Sequence, residues 1–226
     1  MPSCQRKLEV RAEKLRQLAA ERHDDASFIA WMSARSIVGA EAYYRSAYTE
    51  GPVVSWNVRE RFMLETLRIL LNRHRKVVVW AHNTHIGDSR QTDQAKTGEL
   101  ALGELVREQY GERVSYLLGF STYAGSIRAA RGWGTVDRAQ PLLPALTGSW
   151  PRLLHETGLD RFLVLFRDNA ATSLLKDEER LERAIGVNYF PVREREDHYF
   201  TTRLGRRFDA LIHLDQTTAV RDFPSP

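Results

Sequence analysis

Two histidines three residues apart, His82 and His85, stand in VVVWAHNTHIGDSR (77–90), directly after the most apolar, β-branched run of the chain. An imidazole changes charge near neutral pH and, when neutral, offers one donor and one acceptor. Two of them in one irregular turn can exchange protons with a substrate, donate hydrogen bonds to a developing oxyanion, or ligate a single metal ion. Both are candidate catalytic residues. Asn83 lies between them and Asp88 follows; both are candidate substrate-binding residues, and Asp88 is open to two roles, orienting an imidazole or capping the turn. The bland alternative makes His82 a satisfied strand-end residue and His85 a solvent-facing loop residue. A metallohydrolase using His82, His85 and Asp88 is an alternative with less behind it. HxxH lacks the i, i+4 spacing of HExxH and carries no acidic residue between its histidines. The reading therefore assigns no metal and no cofactor.

Other catalytic signatures are missing from the sequence. No GxSxG elbow occurs, which removes support for an α/β-hydrolase serine nucleophile. No Walker A or GxGxxG run follows a strand. The single cysteine, Cys4, excludes an intramolecular disulfide and a multi-cysteine zinc site. Two further residues are candidates for contact with substrate. Arg59, with Glu60, can reach a pocket from a helix start, or form an exposed helix pair. Tyr189, like Tyr199, can line an apolar cleft, or pack in the core with its hydroxyl satisfied.

These residues need elements to place them. Apolar residues at helical spacing predict helices over 5–22, 27–48 with Ser27 as N-cap, and 58–72 with Asn57 as N-cap, broken by Glu-Gly-Pro at 50–52. The unbroken run at 76–82 reads as a strand covered on both faces, the kind found in parallel sheets. A loop, a helix at 98–110 and a strand at 114–120 complete a β-loop-α-β unit, for which a right-handed parallel crossover is expected. A short hairpin is expected within 125–137, a helix near 149–156, a strand at 162–166, a charged helix near 177–183 and a last strand at 210–213. The expected fold is a single α/β domain over 1–226. It has a partial, open, mostly parallel sheet with flanking helices, preceded by a run of N-terminal helices. In open sheets of this kind, functional groups gather at the carboxyl ends of strands, where His82 and His85 fall.

The net charge is +4, from 33 basic and 29 acidic residues. The arginines mostly have acidic neighbours, as in RERF (59–62), KDEERLER (176–183) and REREDH (193–198), which is unlike a phosphate-tracking surface. Only Arg203, Arg206 and Arg207 form a tight basic knot, read as a solvated helix face. No nucleic-acid partner is expected. The N-terminus has no apolar h-region, and no apolar run approaches the roughly 20 residues that cross a bilayer. No membrane partner is expected, and the expected location is cytoplasmic.

WAHNTHIGD, preceded by the helix NVRERFM, resembles a motif of erythromycin-esterase-like hydrolases, in which an Arg-Asp/Glu-x-x-Met helix leads into a strand ending Trp-Ala-His-Asn-x-His. Three further segments resemble that family in the same order. They are TGELALGELVREQYGERVSYLLGFSTYAGSIRA, ERAIGVNYFPVREREDHYF and RRFDALIHLDQTTAV. Together the matches span most of 27–223, with 1–26 as a leading helix. The resemblance implies a metal-independent hydrolase of carboxylic esters or macrolide lactones, of the kind that confers antibiotic resistance. It implies that His82 and His85 bind or polarise the ester carbonyl and stabilise the tetrahedral oxyanion.

The family also carries a Gly-Glu-x-x-His-Gly motif that supplies the general base, and no such run occurs in this sequence. The resemblance therefore implies the C-terminal half of a family protein, truncated, and inactive alone or completed by a partner chain. Loss of a general base typically costs about 10²–10⁴ in rate. A sheet missing strands exposes an edge, and that edge invites a partner chain or self-association. A non-catalytic interaction module is the alternative of a different class.

Overall fold

Three charged, amphipathic stretches build the first part of the chain: α1 (Gln5–Arg22), α2 (Asp25–Thr49) and α3 (Pro52–Arg73). Asp24 caps α2 by accepting from the Ser27 N–H at 2.7 Å, so Ser27, expected as the cap, is already inside the helix. α3 starts six residues before its expected start at 58. Gly51, at φ 96°, turns the chain, and Pro52 occupies the first helical position, where its fixed φ suits a helix and its missing N–H costs nothing. α2 and α3 pack closely because Gly39 has no side chain; a Cβ there would stand 2.5–2.7 Å from the Phe62 ring. Arg35 crosses the same contact, donating to Thr66 Oγ1 at 2.6 Å and Glu65 at 2.8 Å with its guanidinium over Phe62. The computed structural model describes residues 4–221, which divide into two units between residues 77 and 78, the first made of these helices.

The second unit is α/β. In chain order it contains α4 (Asn83–Ile86), α5 (Leu102–Tyr110), β1 (Leu118–Ala129), β2 (Arg138–Leu142), α6 (Trp150–His155), β3 (Arg161–Leu165), β4 (Arg180–Arg183), α7 (Glu194–Asp197), β5 (Tyr199–Thr202), α8 (Leu204–Arg207) and β6 (Ala210–Thr217). Four strands make an open sheet in the order β2-β1-β6-β3. β1 and β6 run parallel, pairing Phe120 with Ile212 and Ser121 with His213, while β2 and β3 are antiparallel additions at the two edges. The sheet is thus mixed, with one parallel pair at its centre. β4 and β5 form a separate two-stranded sheet that pairs Glu182 with Phe200.

Leu117, Trp150, Leu154, Phe166, Leu204, Phe208 and Leu211 form the main core, and Ala129, Leu142 and Tyr189 a smaller one. Buried charge ties the elements together. Asp209 accepts from Arg107 of α5 at 2.7 Å, from Arg167 at 2.9 Å and from the Leu117 N–H at 2.6 Å. That carboxylate fixes α5 to the starts of β1 and β6, and each of its bonds is charge-assisted.

Two expected elements differ. Residues 76–82 join no strand among the described residues, and Val78 and Trp80 are 92% and 85% exposed. An apolar β-branched run signals a propensity to be covered, but a ladder also needs a partner, which periodicity cannot see. Residues 177–183, expected as a charged helix, hold β4 instead. There Leu181 and Glu182 alternate across a short antiparallel pair, and tertiary pairing overrides the good helix formers around them. The strand expected at 114–120 begins later and runs on to Ala129 as the long strand β1, whose last five residues pair antiparallel with β2, so the hairpin expected within 125–137 extends to 142.

Candidate active site

His82 is the N-cap of α4, and its carbonyl accepts from the N–H groups of His85 and Ile86 at 2.9 and 3.2 Å. Its Nδ1 accepts from the Thr84 N–H at 3.3 Å and lies 2.9 Å from the Thr84 hydroxyl. A neutral ring that accepts at Nδ1 carries its proton on Nε2. The ring keeps contact with solvent, yet its surroundings push its pKa down to about 4. Burial among neighbouring atoms contributes most, then the positive charges of His85 and Arg207, while a bond to the Ile185 carbonyl opposes them. Water reaching the ring softens that push, but the direction stands: His82 is a neutral donor at pH 7. His85, three residues on, is buried.

Asn83 is spoken for by structure. Its carboxamide donates to the Phe120 carbonyl at 2.7 Å and accepts from the Phe120 N–H at 3.1 Å, which copies one rung of a ladder onto β1. The other side of the turn rests on a buried ion pair that sequence reading missed. Arg207, only 1% exposed, donates to Glu182 Oε2 at 2.8 Å and to the Asn83 carbonyl at 2.9 Å. Glu182 Oε1 lies 3.5 Å from the Asn83 amide nitrogen. Burial raises the Glu182 pKa, against the lowering pull of Arg207 and Asn83. The expectation that Arg203, Arg206 and Arg207 form one solvated face is corrected in part. Arg203 and Arg206 are exposed and pair with Glu179 and Asp177, whereas Arg207 points inward between Phe200 and Phe208. Gly87 makes this possible, since a Cβ there would overlap the Arg207 Nε.

The remaining sequence candidates have partners of their own. Asp88 is buried and caps the next turn through the Arg90 N–H; its oxygens pair with the Arg90 guanidinium at 2.7 and 2.9 Å, and Arg107 stands at 3.4 Å. Tyr189 is fully buried, its hydroxyl donating to Glu194 at 2.9 Å and accepting from the Leu143 N–H at 3.3 Å; burial foremost pushes its pKa up to about 12. Arg59 is an exposed residue of α3 with its guanidinium 5.2 Å from the Trp56 ring centre. Among the described residues, no group of three or more His, Cys, Asp or Glu side chains is placed to hold a metal.

A second polar chain also went unread. His155 Nδ1 lies 2.7 Å from Asp215, His213 Nε2 lies 3.4 Å from the same oxygen, and His213 Nδ1 lies 3.3 Å from Ser121 Oγ. It superficially resembles a serine triad, but His213 has no exposed surface and Ser121 meets it at a long distance. It works as a strut that joins β1, β6 and α6.

The family model for erythromycin esterase matches residues 1–217. This chain belongs to the erythromycin esterase family. Solved structures share the fold at low identity. A succinoglycan biosynthesis protein is 18% identical with a TM-score of 0.70, over 97% of this chain and 51% of that one. A protein from Bacillus cereus is 18% identical with a TM-score of 0.71, over 95% and 53%. A mutant of the erythromycin esterase EreC in its open conformation is 14% identical with a TM-score of 0.62, over 99% and 55%. The chain spans about half the length of these solved structures. Among the described residues, no helix is long and apolar enough to cross a membrane.

Proposed function

We propose that this chain supplies the carbonyl-polarising part of an ester- or lactone-hydrolysing site, with His82 and His85 as its catalytic residues and a general base supplied by other polypeptide. The observation that carries the reading is the state of His82. It is a neutral imidazole at pH 7 with its proton on Nε2, partly open to solvent, beside a second, buried imidazole. That Nε2–H rests on the Ile185 carbonyl and must turn from it to reach substrate; a neutral donor so released can stabilise negative charge that develops on an ester carbonyl oxygen, a role typically worth about 10²–10³ in rate. Asn83 and Asp88 shape the turn from beneath, and substrate contact falls to the histidines.

Chemical rescue tests this. Added imidazole stands in for the missing base while an activated ester is hydrolysed. The rate above buffer background should rise with imidazole in the unaltered chain and fall at least tenfold in His82→Gln and His85→Ala. Equal rates in all three chains would sink the proposal.

A second reading, an interaction module, has one observation behind it. Val78 and Trp80 are exposed, the Trp80 and Phe120 ring centres are 5.6 Å apart, and exposed apolar groups of this kind favour protein contacts. Light scattering on the purified chain should then show association that Val78→Thr/Trp80→Gln abolishes. A monomer at high concentration argues against it.

A further inference from the structure

We propose that Arg207 and Glu182 are positioning residues for the histidine turn, whose start is held by the buried Arg207 guanidinium and whose end is held by the Arg207 backbone carbonyl. The purpose of that clamp rests on the proposed role of His82 and His85, but its test needs no substrate.

Arg207 touches the turn twice. Its side chain donates to the Asn83 carbonyl at the start of α4, and its own carbonyl accepts from the Asp88 N–H, just past the end of α4, at 3.1 Å. Its other terminal nitrogen is held by Glu182, whose second oxygen reaches toward the Asn83 amide. The guanidinium cannot slide. Phe200 and Phe208 stand at 4.8 and 5.1 Å, and Gly87 presses on its Nε, which is buried with no hydrogen-bond partner.

A buried ion pair is poor value as plain stabiliser, because well-packed apolar groups often replace one at no loss. An apolar pair would not grip the Asn83 carbonyl, and it would not place a fixed positive charge near His82. The charged and titratable groups that act on that ring are His85 from its own turn, Arg207 from α8 and, through Arg207, Glu182 from β4. The Ile185 carbonyl after β4 and the Thr84 hydroxyl complete its polar contacts. Removing the Arg207 charge should therefore make His82 easier to protonate, and loosening its grip should disturb the Thr84 bond that sets the tautomer.

Histidine-labelled chain, with the His82 signals assigned by His82→Gln, gives the titration midpoint and tautomer of His82 by NMR. In Arg207→Gln the midpoint should rise by about one pH unit or more, as expected for loss of a nearby like charge. In Arg207→Lys and Glu182→Gln the share of Nε2-protonated tautomer should fall. Arg206→Gln, which alters the exposed neighbour, should change neither. Folding is followed by the cooperativity of thermal melting. An unchanged His82 midpoint in folded Arg207→Gln overturns the proposal, as does an unchanged tautomer in both Arg207→Lys and Glu182→Gln. Failure of the rescue assay would leave this result standing, so the two ideas can fall separately.

Discussion

Gly103→Ala should destabilise the second unit, because α5 packs against the histidine turn at this residue. A Cβ on Gly103 would overlap the Ile86 carbonyl oxygen, with the carbonyl carbon at 2.5 Å and the Gly87 carbonyl oxygen at 2.7 Å. Optimal carbon–carbon separation is about 3.5 Å, so helix or turn must move by about 1 Å. The obstacle is backbone on every side, and no rotamer change relieves it. Overpacking of this kind costs about 1–3 kcal/mol. Replacing a helical glycine by alanine returns about 0.5–1 kcal/mol, which leaves a net loss centred on about 1 kcal/mol and about 2.5 kcal/mol at most. At about 2–4 °C per kcal/mol for a unit of this size, the melting temperature should drop by about 2–5 °C. Gly186→Ala is the control, since a Cβ there meets nothing and the backbone needs no positive φ. Melting of both variants followed by circular dichroism decides the matter. If Gly103→Ala melts at or above the temperature of Gly186→Ala, the close contact between α5 and the turn is not real.

Stability should fall as pH drops from about 6.5 toward about 4. His82, His198 and His213 all have pKa values held below the ordinary imidazole value, with burial as the largest cause for each. The unfolded chain therefore binds more protons in that window, and their stabilisation is complete above the unfolded pKa of about 6.5. Urea midpoints at pH 7.5 and 5.0 test the sign, and a midpoint that holds or rises at pH 5.0 contradicts it. Asp209→Asn should cost about 3 kcal/mol, because it strips the charge that Arg107 and Arg167 share and leaves the buried Arg107 with one carboxylate, Asp88 at 3.4 Å, beside the Arg206 carbonyl at 2.8 Å. Urea unfolding gives the loss, and a value under about 1 kcal/mol refutes that accounting.

What could be read in the sequence was whatever depends on local pattern. α1 runs over its expected residues, α2 and α6 lie within a residue or two of theirs, and β3 and β6 fall where apolar β-branched runs stand. The His82–His85 turn follows from its residue types alone. What escaped depends on partners distant in sequence. Glu182 and Arg207 are 25 residues apart, each inside a run of charge that looks like solvated surface, and nothing local marks one arginine of RLGRR as buried. Tyr189 and Asp88 have the residue types of a binding site, yet their polar atoms are taken up by near neighbours, Glu194 and Arg90, and by Leu143 and Arg107, which only the fold brings close. The run at 76–82 failed for the opposite reason: its local signal for a strand is strong, and among the described residues it joins no ladder, although Trp80 packs on Phe120 of β1.

That unladdered run bears on how the site is held. In an open α/β sheet, a strand ending in functional residues normally takes its register from ladder bonds along its whole length. Here the register of the histidine turn comes from one carboxamide, Asn83 on Phe120, and one guanidinium, Arg207 on Asn83. Two polar clamps can replace a ladder only where water is kept out, because competition from water reduces a hydrogen bond to a net of about 1 kcal/mol. Arg207 and Glu182 meet that condition; the outer clamp, at Phe120 and under the exposed Trp80, does not. Any cover over Trp80 and Phe120 would therefore strengthen the Asn83 rung without touching a histidine, so packing over that apolar surface would set how firmly the histidine turn is held.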